Sequence, residues 1–316
     1  MGRRVLAVIG AVALVLTAIV VRSVIEGDDG GSPADGAHDG EEVVVCDTDF
    51  ADECRVGLEG VTLRIEDSAT TSATLLDEGR GDVDAWITSN AWFELTQHRL
   101  AAQGSNVEVG FATPLATARV VVAAVAARAD AITTLCDARG TWRCLGEEAG
   151  RPWSEVGGQP SWGPVRTGLP SAETAVGLST LAAAAAGYFG GTDFAANDFP
   201  AAFAPWLDSL ARASGEGDPD LLTTLVRRQG TYDAGGVLEH LARPRPELVV
   251  LPVDGGPAAE VVAVALSDDA TDRWPELQGA LVGAGWTASE PAGGPTGVLG
   301  PGVTGALYSL WKDVAR

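Results

Sequence analysis

A single lysine, Lys312, occurs in this 316-residue chain, and 21 basic side chains in all face 43 acidic ones. The formal charge of -22 excludes nucleic acid as a partner, because so few cations cannot replace the counterions condensed on phosphates. The acidity itself reads as colloidal solubility outside the cell ahead of any specific cationic ligand. Cysteine is scarce as well: Cys46, Cys54, Cys136 and Cys144 form two local pairs of equal spacing, with no Cys-x-x-Cys. Four cysteines allow three pairings, and proximity favours two disulfides, Cys46 with Cys54 and Cys136 with Cys144, in a chain outside the cytoplasm. His38, His98 and His240 are the only histidines and lie apart from either pair, which disfavours zinc; no metal and no cofactor is expected. Also missing are a Gly-x-Ser-x-Gly elbow, a Walker loop, His-Glu-x-x-His and a glycine-rich dinucleotide fingerprint, so the chain reads as a binder and not as an enzyme. Asp82 with Asp84, and Asp268 with Asp269, are acidic pairs of the kind a carboxylate hydrolase uses, but a strand edge or a solvated turn is the plainer account.

The longest apolar run stands at the front. Met-Gly-Arg-Arg precedes Val5 to Val21, and the stretch to Ile25 covers roughly 30 Å as a helix, enough to cross a bilayer. Residues 1–25 are therefore expected to be an uncleaved signal anchor, with cleavage near Ala18 as the alternative. Arg3 and Arg4 against the acidic stretch that follows put the rest of the chain outside, as a single-pass protein of the cell membrane. Residues 26–42, rich in Gly, Asp and Glu and lacking Phe, Tyr and Trp, cannot order themselves by burial and form an acidic disordered tether.

Beyond the tether, helical and strand patterns alternate. Val43–Val45, Val61–Ile65 and Asp82–Thr88 read as strands around a short helix over Ser68–Leu76, and that order argues parallel pairing. Ala91–Gln103 reads as a helix ending at Gly104, Val107–Phe111 as a strand interrupted by Pro114, and Val120–Val125 as a doubly buried strand. Cys136 to Pro164 reads as loop with short helical turns. A helix over Ser171–Phe189 is capped by Ser171 and stopped by Gly190-Gly191. Helices over Phe199–Ala213, Leu221–Gln229, Thr271–Gly283 and Gly305–Val314, and strands over Glu247–Val253 and Val261–Leu266, complete an α/β pattern.

Several of these segments, in order, are similar to type II periplasmic-binding-protein-like extracellular solute-binding proteins of bacteria. Gly81-Asp-Val-Asp-Ala-Trp-Ile87 resembles a first-lobe strand, Phe111 to Ala123 the crossing strand, and Gly168-Leu-Pro-Ser-Ala-Glu-Thr-Ala-Val-Gly177 the start of the second-lobe helix. Thr231 to Glu239, followed by Leu251-Pro-Val-Asp-Gly-Gly-Pro257, resembles the return segment of a branch in high-GC Gram-positive bacteria, in which a von Willebrand A-type domain sometimes follows. The family's Asp-Pro before the helix is Leu169-Pro170 here and its serine is Ala175, departures from its oxyanion-binding pattern. The resemblance implies a two-lobed fold with two chain crossings: lobe 1 over 43–118, lobe 2 over 119–261, and a lobe 1 return over 262–316. It also implies a membrane-anchored protein that captures a small ligand between lobes for transport or sensing, with a membrane transporter or surface complex as partner. The alternative is a ligand-free extracellular interaction domain of the same fold.

In such a cleft, ligands meet strand ends and helix starts. The candidate ligand-binding residues are Ser68, Thr70, Thr88, Ser89 and Asn90 on the first lobe, beside Asp67, and Ser171 and Thr174 on the second, beside Glu173, with Glu239 at a strand end. Helix capping competes with ligand contact at Ser68 and Ser171, turn formation at Ser89 and Asn90, and a solvated strand end at Glu239. Trp86 and Trp92 offer stacking faces, with core packing the plainer role for Trp86.

Overall fold

Short β-branched runs separated by helix-forming stretches set the order of elements. The computed structural model describes residues 42–105, 110–137, 139–214, 217–251, 253, 256–267, 273–289 and 299–315. The expected anchor, the tether up to residue 41 and positions 107–109 of the expected strand lie outside the described residues. Among the described residues no helix is long and apolar enough to cross a membrane.

The chain begins with β1 (Val43–Cys46), α1 (Ala51–Gly57), β2 (Thr62–Ile65), α2 (Ser68–Asp77), β3 (Ala85–Ser89) and α3 (Asn90–Gln103). β1 lies parallel to β2 on one side and to β3 on the other, the pairing that the strand, helix, strand pattern favours. β3 starts later than the alternation from Asp82 suggests, because Asp84 turns its carboxylate onto the Val43 amide at 2.9 Å. α3 is capped by Ser89, whose Oγ accepts from the Trp92 amide at 3.4 Å, and ends at Gly104 in the left-handed region, φ 66°.

β4 (Ala112–Val125) is a single 14-residue strand. Pro114 does not break it; the register shifts between Pro114 and Ala116, the irregularity that a residue without an N–H favours in a strand. Next come α4 (Ala126–Cys136), α5 (Thr141–Glu148), β5 (Thr167–Gly168), α6 (Ala175–Phe189), α7 (Phe203–Ser214), α8 (Leu221–Arg227), β6 (Ala234–Leu238), α9 (Glu239–Ala242) and β7 (Leu248–Leu251). The chain closes with β8 (Ala258–Ala265), α10 (Trp274–Gly283), β9 (Thr287–Ala288) and α11 (Pro301–Val314). α7 starts at Phe203 and not at Phe199, because Pro200 holds Phe199 in extended backbone, ψ 107°.

The nine described strands share one hydrogen-bonded sheet, ordered β2-β1-β3-β8-β4-β6-β5, with β7 and β9 also on β4. β4 joins its two parts: Ala112 to Arg119 pairs with β8, while Val120 to Val125 pairs with β6 and β7. The chain thus passes from the first part of this mixed α/β sheet to the second along β4, and returns between β7 and β8. Both local disulfides form, Cys46 to Cys54 across the turn after β1 and Cys136 to Cys144 between α4 and α5. α6 is buried nearly all round, and its run Ala182 to Ala186 of small side chains lets it lie close between neighbours. α11 packs on α3 and on α7, and so touches both parts of the molecule.

Candidate functional site

Two helix starts converge at the end of β1. A helix leaves its first backbone amides without intrahelical acceptors, and those amides with the aligned peptide dipoles attract negative charge. α2 presents the Ser68 amide, and α6 presents the amides of Ala175 and Val176. The negative groups that meet them belong to the chain itself. Asp47 Oδ2 accepts from the Ser68 amide at 2.8 Å, from the Ala175 amide at 3.0 Å and from the Ser68 hydroxyl. Asp49 Oδ2 accepts from the Val176 amide at 2.7 Å. The Ser68 hydroxyl lies 2.6 Å from that of Thr88, at the end of β3, so two hydroxyls line up behind the Asp47 carboxyl.

Local chemistry explains how the loop reaches this place. Asp47 follows β1 directly, and its other oxygen accepts from the Asp49 amide at 2.9 Å, opening the single helical turn Thr48–Phe50. The disulfide from Cys46 to Cys54 fastens both ends of that stretch. Asp47 is completely buried. Burial, with the Asp49 charge beside it, pushes its carboxyl up to about 8, while the hydrogen bonds from Ser68, Asp49 and Ala175 pull the other way. When protonated, Asp47 can donate to Ser68 Oγ, which can then donate to Thr88, so the chain of hydrogen bonds survives in either state.

The start of α6 differs from the sequence reading, which put the cap at Ser171. Thr174 is the cap, with extended backbone and its Oγ1 accepting from the Gly177 amide at 3.2 Å. Residues 171 to 174 form a turn in which the Ser171 carbonyl accepts from the Thr174 amide and hydroxyl. Gly177 is required there, since a Cβ would sit 1.6 Å from the Ser171 oxygen. The turn leaves the Glu173 carbonyl to accept from the Ala69 amide at 2.9 Å and the Thr174 carbonyl to accept from Trp92 Nε1 at 3.0 Å. Glu173 also pairs with Lys312.

A cavity of about 550 Å³ opens beside this junction. Thr48, Asp49 and Asp67 form one wall; Pro170, Ser171, Glu173, Thr174, Gly217 and Pro219 form another; Trp311, Lys312 and Ala315, from and just after α11, complete it. Asp67 accepts from the Thr48 hydroxyl at 2.7 Å, so three carboxylates but one ammonium face this space.

The sequence candidates distribute as follows. Ser68 and Thr88 meet at Asp47, and Ser171 and Thr174 line the cavity. Thr70 faces a neighbouring outer groove with Arg99 and Tyr308. Ser89 caps α3; Asn90 Nδ2 donates to Glu94 at 3.4 Å and borders a separate crevice with Ser179 and Glu260. Glu239 begins α9 and pairs with Arg243 at 2.7 Å and Arg119 at 3.8 Å, away from the cavity. Trp86 and Trp92 are both fully buried. Asp47 and Asp49 were not among the candidates. The signal that marks them is their position, acidic residues at a strand end inside the first cysteine pair.

No family model and none of the curated proteins matches the chain. Solved structures with a similar outline include a periplasmic binding protein, at 10% identity and TM-score 0.46 over 88% of this chain and 100% of that one. The sulfate-binding protein SubI from Mycobacterium tuberculosis matches at 16% identity and TM-score 0.43, over 79% and 88%. An ABC transporter protein from Clostridium perfringens matches at 13% identity and TM-score 0.43, over 76% and 80%. Likenesses at these values assign neither a family nor a ligand.

Proposed function

We propose that this chain is an extracytoplasmic binding protein that takes a small solute in the cavity between the α2 and α6 starts, held to the cell membrane by its amino-terminal segment. The supporting observation is the 550 Å³ cavity itself, walled by the loop after β1, the turn before α6 and α11. Its size suits a small molecule, and polar groups converge on it from separate elements. Asp49, Asp67 and Glu173 outnumber Lys312 there, so the solute is neutral or cationic and rich in hydrogen-bond donors, and not a dianion. Two disulfides fit a fold that works outside the cytoplasm. Delivery to a membrane transporter or a sensory complex would follow capture.

A ligand that binds only the folded state raises the unfolding midpoint, by about 2.7 kcal/mol at a hundredfold excess over Kd. Thermal unfolding against amines, amino acids, sugars, peptides and oxyanions is expected to show a shift with a member of the first three classes and none with sulfate or molybdate. A screen without any shift would end the solute reading. The second reading is an interaction domain of the same fold, favoured by the Asp47 carboxylate already filling the meeting point of two helix starts. Crosslinking on intact cells would then capture a stable protein partner through the cavity rim.

A further inference from the structure

Five hydrogen bonds and ion pairs run between the α6 start and groups on the loop after β1, α2, α3 and α11: Ala175 to Asp47, Val176 to Asp49, Ala69 to Glu173, Trp92 to Thr174, and Lys312 to Glu173. In the first two, carboxylates of one loop receive otherwise partnerless amides of a helix whose strands belong to the other part of the sheet. The geometry is that of an acid group held between two helix starts, with the group supplied in cis. Asp47 is nine-tenths and more buried; its carboxyl accepts from two amides at the helix starts, the Asp49 amide and the Ser68 hydroxyl, with the Asp49 carboxyl beside it. Asp47 belongs to a loop fastened by a covalent bond at Cys46, the residue next to it, so the carboxylate is delivered at high effective concentration.

We propose that Asp47 is an internal clasp: its carboxyl group, in either protonation state, occupies the seat that two helix starts would offer a free anion, joins the first part of the fold to α6, and keeps free carboxylates and oxyanions out of that seat. Asp49 is the second tooth of the clasp, at the cavity edge. The clasp goes beyond the solute reading and is independent of which solute the cavity takes.

The test uses Asp47→Ala and hydrogen exchange of the peptides that contain Ser68 and residues 175–178. A buried amide left without its acceptor loses most of its protection, so exchange of these amides is expected to quicken by roughly fivefold or more. Sodium formate, compared with sodium chloride at equal ionic strength, is expected to raise the unfolding midpoint of Asp47→Ala saturably and to restore protection, while leaving the wild type unmoved. Unchanged exchange at the α6 start, or equal responses of variant and wild type to formate, overturns the proposal. Should Asp47→Ala fail to fold, Ala175→Pro replaces it. Proline is accepted at the first helical position after the extended Thr174; it removes the amide that reaches Asp47 from α6 and sets its own Cδ against that carboxyl. Quickened exchange at Val176 and Gly177 in that variant supports the clasp, and unchanged exchange overturns it.

Discussion

At the residue scale, Asp47 shows what a sequence pattern carries and what it does not. An aspartate after a strand reads as a turn former, and one of its oxygens does open the turn at Thr48–Phe50. Its other oxygen meets Ala175, 128 positions away, and no local pattern encodes that partner. Ser68 and Thr88 stood out as hydroxyls at a helix start and a strand end and were expected to contact a ligand; the Asp47 carboxyl that they face in the fold was not expected. The same residue makes a pH prediction. Its carboxyl is raised to about 8, above the ordinary 3.8, by burial first and by Asp49, the charged neighbour that acts on it. Between those values the folded chain retains a proton that the unfolded chain has released, so this contribution to stability is complete below about pH 4 and disappears as pH rises through 8. Asp49, beside Asp47, and Glu53, Glu94, Glu260 and Asp233 are raised in the same direction; Asp47→Asn reads Asp47 together with its effect on Asp49, while the other four are common to both proteins. Unfolding midpoints measured from pH 5 to 8 should fall for the wild type, and less steeply for Asp47→Asn. Parallel slopes would contradict the assignment.

At the element scale, most strands and helices were legible from β-branched runs and caps; α11 starts at Pro301, ahead of the expected Gly305, and β8 at Ala258, ahead of the expected Val261, while three late starts share a cause. β3, α6 and α7 each start later than their periodicity suggests, because a side-chain bond at Asp84, the turn at Ser171 to Thr174 and Pro200 override it. The two disulfides offer a controlled comparison, since both span a separation of 8 residues. Loop-closure entropy assigns each about 2–3 kcal/mol. Replacing Cys46 and Cys54 by serine should cost that much and also loosen the Asp47 and Asp49 loop, whereas replacing Cys136 and Cys144 should cost the entropy alone. Chemical denaturation of the two double variants reads the difference, and equal losses would mean that the first bridge does not support the clasp.

At the scale of the whole molecule, the mixed α/β architecture was legible from the alternation of elements, while the sharing of β4 by both parts of the sheet was not. The strand expected over Val120–Val125 extends back to Ala112 through Pro114, which occupies a register shift, while Phe111 of the strand expected ahead of it lies outside β4. α11 is the other long-range tie, touching α3 and α7 while placing Trp311 in the cavity wall. Trp311 is nearly buried, and Trp311→Ala should lower stability by about 3–5 kcal/mol and abolish any ligand-induced rise in the unfolding midpoint. A variant that loses the stability and keeps the rise would place the solute elsewhere.

The position of β1 has a mechanical meaning. It is the first strand, yet it lies inside the sheet, parallel to β2 and β3. A pull on the residues ahead of Val43 therefore travels along the strand and loads the bonds on both flanks in shear, so that they must yield together and not one by one as in unzipping. The loaded strand ends next to Asp47, and tension from the amino-terminal side arrives where α6 is gripped.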